Sequence, residues 1–422
     1  MKRKKLNRNL LSLGIGASLL LSCTANNKTT ESMDKVIEKG TFGYDLNYLS
    51  KKDSLIVLKS HDGKAQVIVS AKYQAKVFTS TAGGEEGNSH GFVNYNFLDA
   101  GKIDEHMNGY GGENRMWLGP EGGSYSIFFA PGSKQVYDNW HTPKAIDTEE
   151  WDVKYSSLKK ATFTKEMQLQ NYRGTVLNLA VERTVSLFTN SEIATTLGIR
   201  IPDQVKAVAY ATENRITNRN DFEWTRETGT VCIWMLDMIN PSDSAVTVIP
   251  YHAGKESERG KVVTSDYFGA IPANRLIDDE GVLFFKTDGR LRGKLGMNAK
   301  RTKTIAGNYD PIAQRLTIVT FDADPEAIYL NQEWNPEKEP LRGDALNAYN
   351  DGPLDDGTIM GPFLELESSS PAAFLKPDES LSHRHNVFHF MGDEAALSPI
   401  AEQLLGVTLE KVKNIFQKKS NQ

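Results

Sequence analysis

The tightest constraint in this sequence is a period-two alternation that recurs from residue 54 to residue 391. Its clearest instance is KATFTKEMQLQNYRGTVLNLAVERTVSLF, residues 160–188. Leu177, Leu179, Val181, Val185 and Leu187 alternate with Asn178, Ala180, Glu182, Thr184 and Ser186, as one buried and one wetter strand face require. Asn171-Tyr172-Arg173-Gly174 supplies the turn. The runs SLIVLKS, AQVIVSA, AKVFTST, SYSIFFAPG, TVCIWMLDM, SAVTVIPYH, GVLFFKTDG, QRLTIVTFD and GPFLELESSSP continue the pattern. Helical patterns between them are rare, so crossover connections and a parallel sheet are excluded. The chain is expected to be all-β, one large antiparallel sandwich over residues 40–393 with no repeat and no internal linker.

A helical segment is expected at 394–422. Ser398 should cap IAEQLLG with Pro399 in its first turn and Gly406 as its stop, and Thr408 should start LEKVKNIFQKK.

The N-terminus has a different logic. Lys2, Arg3, Lys4, Lys5 and Arg8 precede a short apolar run, Leu10 to Ser22, and Leu20-Leu21-Ser22-Cys23 resembles a bacterial lipobox. Residues 1–22 are thus expected to be a lipoprotein signal peptide, Cys23 the lipid attachment site, and 23–39 a polar tether. This implies a membrane-anchored bacterial lipoprotein, on the outer membrane and facing the periplasm. Loss of the leader removes five basic residues from a chain with 49 basic and 54 acidic ones, leaving a net charge of −10. That balance argues against a nucleic-acid partner. Of the two cysteines, Cys232 lies in an apolar run and is expected to be buried, so neither a disulfide framework nor a CxxC metal site is present.

Three stretches carry candidate chemistry. NGYGGENRMWLGPEGG, 108–123, gathers six glycines around Glu113, Arg115, Trp117 and Glu121. The last glycine of a dinucleotide fingerprint is missing and a strand rather than a helix is expected next, so a phosphate cradle is not. An indole beside charged hydrogen-bonding groups suits a neutral polyol, with its apolar C–H faces and many hydroxyls. GPFLELESSSP puts Glu365 and Glu367 on one strand face, about 7 Å apart. Such a pair can supply a base with a raised pKa. ESLSHRHNVFHFMG puts His383, His385 and His389 on one face. His-x-His can bind zinc, but no third ligand is evident, so no metal or other cofactor is assigned. His90 and His106 flank the glycine-rich stretch as further candidates. There is no GxSxG and no HExxH.

The order of these pieces resembles the galactose-mutarotase-like superfamily, and within it bacterial lipoprotein families associated with glycan utilisation. The resemblance lies in VFTSTAGGEEGNSHGFVNYNFL, NGYGGENRMWLGPEGG, NYRGTVLNLAVERTVSLF, ENRITN, QRLTIVTFD and GPFLELESSSPAAFLKPDESLSHRH, spanning about residues 40–391. It implies a β-supersandwich with a carbohydrate-accepting cleft on the concave face; the chain itself is expected to be monomeric. In the superfamily a late-strand glutamate takes the proton of the anomeric hydroxyl and a histidine protonates the ring oxygen. The glutamate corresponds to Glu365 or Glu367, with Glu367 preferred, and Arg115 to an arginine that holds sugar hydroxyls. The mid-chain stretch AYATENRITNRNDFEW, where the acid histidine would be expected, has none, so His385 or His106 would take that role.

The resulting expectation is a lipid-anchored carbohydrate-active protein. It would bind a sugar or oligosaccharide through Arg115, Trp117, Glu113, His90, His106 and His383, with Glu367, Glu365 and His385 catalytic if it is an isomerase of the mutarotase kind. The alternatives are a non-catalytic binding or scaffold lipoprotein of a glycan-uptake system, or a polysaccharide lyase or hydrolase with Glu113 or Glu121 opposite Glu367.

Overall fold

The hairpin expected at 160–188 forms as strands Lys160–Gln170 and Val176–Leu187, joined through Gly174 at φ +86°. The computed structural model describes residues 37–265, 267–354 and 356–417; the leader and Cys23 lie outside them. The hairpin sits near one end of a ten-stranded antiparallel sheet. Its strands Lys206–Asn218, Ser380–Met391 and Arg315–Phe321 follow in that order beside Val176–Leu187. A second, five-stranded antiparallel sheet runs in the order Gly293–Met297, Leu346–Asn350, Leu364–Ser369, Cys232–Ile239 and Arg115–Gly119. A third is a meander of Ile56–Lys59, Gln66–Ser70 and Lys76–Thr81.

The all-β antiparallel sandwich follows from burial. Leu177, Leu179, Val181 and Val185 on the large sheet meet Met235, Leu364 and Leu366 on the small one in a shared core. Burying each such side chain contributes about 1.5–3 kcal/mol. The other face of the large sheet carries Ala209, Ile318, Phe388 and Phe390, covered by helices Asn190–Leu197, Glu394–Leu405 and Leu409–Asn414.

Several local expectations change. SYSIFFAPG forms no strand; Tyr125, Ile127, Phe128 and Phe129 are buried within a looped segment, where packing rather than a ladder absorbs their apolar surface. The first C-terminal helix starts at Glu394, capped by Asp393, which accepts from the Ala396 amide; Pro399 falls inside it and the Ser398 hydroxyl instead contacts Glu402. Gly406 ends that helix and Thr408 caps the next, as expected. Helices Phe42–Ser50 and Asn190–Leu197 were not expected, although Thr189 and Glu192 form a capping box legible in TNSE.

The glycines of 108–123 serve close backbone approach. Gly111, at φ +82°, bridges to Val93, and a Cβ there would lie 2.2 Å from the Phe92 carbonyl oxygen. A Cβ on Gly122 would lie 2.3 Å from the Glu333 carbonyl oxygen. Gly111→Ala is therefore expected to lower stability by at least about 1–3 kcal/mol from the dihedral alone. An unchanged thermal midpoint would show that the 92–94 segment can move away.

Candidate functional site

Strand parity decides which side chains of the five-stranded sheet face away from the core. On Leu364–Ser369, Leu364, Leu366 and Ser368 point inward, and Glu365 and Glu367 point outward. The same parity turns out Arg115 and Trp117, Trp234 and Leu236, Tyr349, and Lys294. These side chains, Glu367 excepted, line a cleft of about 570 Å³, within the range of small-molecule sites. Its walls come from connecting segments that carry Glu121, Tyr137, Trp140, Phe268, Arg292 and Trp334.

The cleft floor is charged and densely paired. Arg115 Nη2 donates to Glu365 Oε1 at 2.9 Å, and its guanidinium lies 4.3 Å from the Trp117 ring centre. Lys294 Nζ and Trp234 Nε1 each donate to Glu367 Oε2 at 2.9 Å. Burial pushes the Glu365 carboxyl up; Arg115 pulls it down and Glu367 pushes it up again, and the net position is above the ordinary carboxylate range. Burial likewise raises Glu121, against the pull of Lys294 and a hydrogen bond from Trp334. Burial alone would lower Lys294, but Glu367, Glu121 and Glu365 together raise it. Lys294 is thus a cation shared by three carboxyl groups. Two of those, Glu365 and Glu121, reach the cleft, and Glu365, pushed up to about 8, can carry a proton near neutral pH.

Of the residues expected at the site, the structure brings Arg115, Trp117 and Glu365 together in the cleft. Glu367 has no exposed surface and acts behind the floor, so the late carboxylate offered to a ligand is Glu365. Trp117 supports the Arg115 guanidinium on one ring face rather than presenting an open platform. His106 does not line the cleft: its Nδ1 donates to the Trp140 carbonyl at 2.6 Å, and its ring stacks on His141 and packs at a tilt against Tyr137.

The remaining candidates are inside the sandwich. Glu113 accepts from the Ser80 amide and hydroxyl and from His389, which hold its carboxyl below the ordinary value despite burial. His90 packs 4.4 Å from His389, centre to centre, and neither of its ring nitrogens has a hydrogen-bond partner among the described residues. His383 and His385 both contact the Ser368 hydroxyl at 2.8 Å, and His385 Nε2 contacts Asp237 at 2.8 Å. Donor counting orders this chain: His383 Nε2–H to Ser368, Ser368 O–H to His385 Nδ1, His385 Nε2–H to Asp237. It has the connectivity of a Ser-His-Asp relay. None of Ser368, His385 and Asp237 has exposed surface, however, so no substrate reaches the serine. The reason is again parity. The three histidines do share a face of Ser380–Met391, but that strand belongs to the large sheet and the face is the inter-sheet core. Among the described residues no cluster of three or more His, Cys, Asp or Glu side chains is arranged to hold a metal ion. Cys232 is buried, its thiol pushed up to about 12 by burial.

Burial lowers His383 to about 3 and His90 well below the usual value. A depressed folded-state histidine pKa means that the unfolded chain binds more protons below pH 6.5. The stability these neutral rings allow is present above that pH and is lost as pH falls from 6.5 toward 3. His90→Phe is expected to flatten this acid limb in denaturant titrations at stepped pH. An unaltered slope would show that His90 is already solvated or protonated.

The sequence reading passed over Trp234, Lys294, Arg292, Trp140 and Trp334. Trp234 was read within an apolar run, and nothing local separates its face from the core face. Lys294 had a weak signal, a lone lysine between glycines in RGKLGM on an otherwise buried strand.

Fold and site together define a class, an antiparallel β-sandwich protein with a charged, aromatic-walled cleft on the outer face of its smaller sheet. Within that class the chain belongs to a family of unknown function, DUF6786, whose model matches residues 40–416. A search of curated proteins finds no match. Among solved structures, the chain is similar to the Slr1438 protein of Synechocystis sp. PCC 6803, with 12% identity and a TM-score of 0.49 over 80% of this chain and 96% of that one. A galactose mutarotase-like protein from Lactobacillus casei has 11% identity and a TM-score of 0.46, over 80% and 100% of the two chains. A galactose mutarotase related enzyme from Lactobacillus acidophilus has 7% identity and a TM-score of 0.45, over 81% and 99%. The descriptions of the two Lactobacillus proteins name galactose mutarotase.

Proposed function

We propose that the protein is a lipid-anchored carbohydrate-active protein that binds a saccharide in the cleft of the five-stranded sheet. It would be tethered through Cys23 to the outer membrane, facing the periplasm. The observation that carries the reading is the Arg115–Glu365 pair on the cleft floor, set beneath Trp140, Trp334 and Tyr137. A fixed donor–acceptor pair matches vicinal hydroxyls, and aromatic walls match the C–H faces of a sugar ring. Catalysis, where it occurs, falls to Glu365 and Glu121 rather than to the core histidines. Both face the cleft and both hold raised carboxyl pKa values, the property a general acid or base working near neutrality needs.

Proton NMR of the detergent-solubilised full chain with freshly dissolved pure anomers and oligosaccharides tests this. Line broadening of sugar signals is expected. Faster anomeric exchange that disappears in Glu365→Gln would make the protein a mutarotase. New reducing-end signals that disappear in Glu121→Gln would make it a hydrolase, and broadening alone a binding protein. No broadening with any saccharide would overturn the reading.

A further inference from the structure

The cleft does not end where Arg115 and Glu365 hold a ligand. A connected series of rings leads away from them. Trp117 lies 5.6 Å from Phe128, Phe128 5.9 Å from Trp140 in a stacked arrangement, and Trp140 5.7 Å from Trp334 and 6.2 Å from Tyr137. The inner rings are buried, at 5% for Trp117, 2% for Phe128 and 6% for Trp140, and the outermost, Tyr137, is 58% exposed. Trp334 is partly exposed and lines the same wall. Exposed aromatic rings are normally scattered singly, so Trp334 and Tyr137 open beside a charged floor, backed by the buried Trp140 and Phe128, make a built surface.

Two polar atoms along this path lack partners among the described residues. They are Arg115 Nε at the floor and Trp140 Nε1 on the wall, both buried donors on side chains that line the cleft. Buried donors are nearly always satisfied, so each calls for an acceptor from outside the chain, an ordered water or a ligand oxygen. One lies beside the floor pair and the other two ring contacts farther along the wall. A single sugar on Arg115 and Glu365 would leave the wall of Trp334 and Tyr137 uncovered.

We propose, resting on the carbohydrate reading above, that the ligand is an oligosaccharide chain rather than a monosaccharide. Its terminal residue sits on Arg115 and Glu365, the next lies along Trp334, which Trp140 backs, and a further one reaches Tyr137 at the mouth. Flat aromatic faces accept successive pyranose rings with little side-chain entropy lost, because each ring has only two side-chain torsions to fix.

The test measures chain-length dependence with the full chain in detergent, by intrinsic tryptophan fluorescence and calorimetry. The probes are glucose, galactose, mannose and xylose, each with its β-1,4-linked di-, tri- and tetrasaccharides. In at least one series the trisaccharide is expected to bind about tenfold or more tightly than the monosaccharide. Tyr137→Ala, at a position exposed enough to leave the fold intact, is expected to cost the trisaccharide about fivefold more than it costs the monosaccharide, and Trp334→Ala to do the same. Equal affinity for monosaccharide and tetrasaccharide would overturn the inference and leave the carbohydrate reading standing. A length-dependent gain untouched by both variants would overturn the placement along the aromatic wall, and with it the inference. Silence across all four series would overturn the inference together with the reading on which it rests.

Discussion

Arg183→Met is expected to lower the free energy of unfolding by about 3–5 kcal/mol, the cost of breaking a buried charged network by removing one member. Arg183 has no exposed surface and sits among Leu179, Val181, Val185 and Leu187 on the core face of its strand. Its guanidinium donates to the Ala75 carbonyl at 3.0 Å, to Asn214 Oδ1 at 2.7 Å and to Asn114 Oδ1 at 2.5 Å. Asn114 in turn donates to Asp237 at 2.6 Å, and Asp237 takes the His385 end of the Ser368 relay. Methionine fills much of the volume but strands three acceptors, each worth about 1–3 kcal/mol when left unsatisfied, and leaves Asp237 without a nearby cation. Guanidinium titration followed by circular dichroism reads this directly. A loss below about 1 kcal/mol would mean that water replaces the guanidinium and that the network does not tie the sheets together.

The network matters for the cleft because Asn114 immediately precedes Arg115. The inward residue is pinned across the core, and its neighbour is thereby fixed on the outward face. Arg115→Ala is accordingly expected to weaken saccharide binding by about 10–100-fold, matching the 1.5–3 kcal/mol of a hydrogen bond to a charged group. The fold should survive, because Glu365, already raised by burial, can take up a proton when its partner is lost. Arg115→Lys would keep the charge but lose the planar fork and its stacking on Trp117, so only partial recovery is expected. Calorimetry against the tightest-binding oligosaccharide, with a thermal melt as a folding control, makes the measurement. Full affinity in a folded Arg115→Ala protein would remove Arg115 from the binding site.

Much of the architecture was legible because burial leaves a periodic trace. The hairpin at 160–188, its turn, and most of the other strands follow from alternation and turn chemistry. The run at 124–132 misled because its aromatic residues are buried by looping, and apolar composition does not distinguish a ladder from a packed loop. The site was legible in part. Arg115 and Trp117 were found through the glycine-rich stretch that gathers an indole beside charged groups, and Glu365 because a charged residue repeated on one strand face is unusual. Arg183 carried the same signal, an arginine on the apolar parity of its strand, and marked the core network rather than the cleft.

The sequence by itself determined the all-β class, the antiparallel pairing and which residues share a face, because strand parity is a local property with a period of two. It could not determine which shared face looks into the core and which into a cleft, because both faces of a strand in a layered protein can be covered. Tertiary structure settled that. The histidines of Ser380–Met391 meet Ser368, Asp237 and Glu113 between the sheets. Glu365 and Arg115 turn to the other side, to a wall of Trp140 and Trp334 brought there by segments far away in the chain. Nothing in a local pattern encodes which distant loop will close over a sheet.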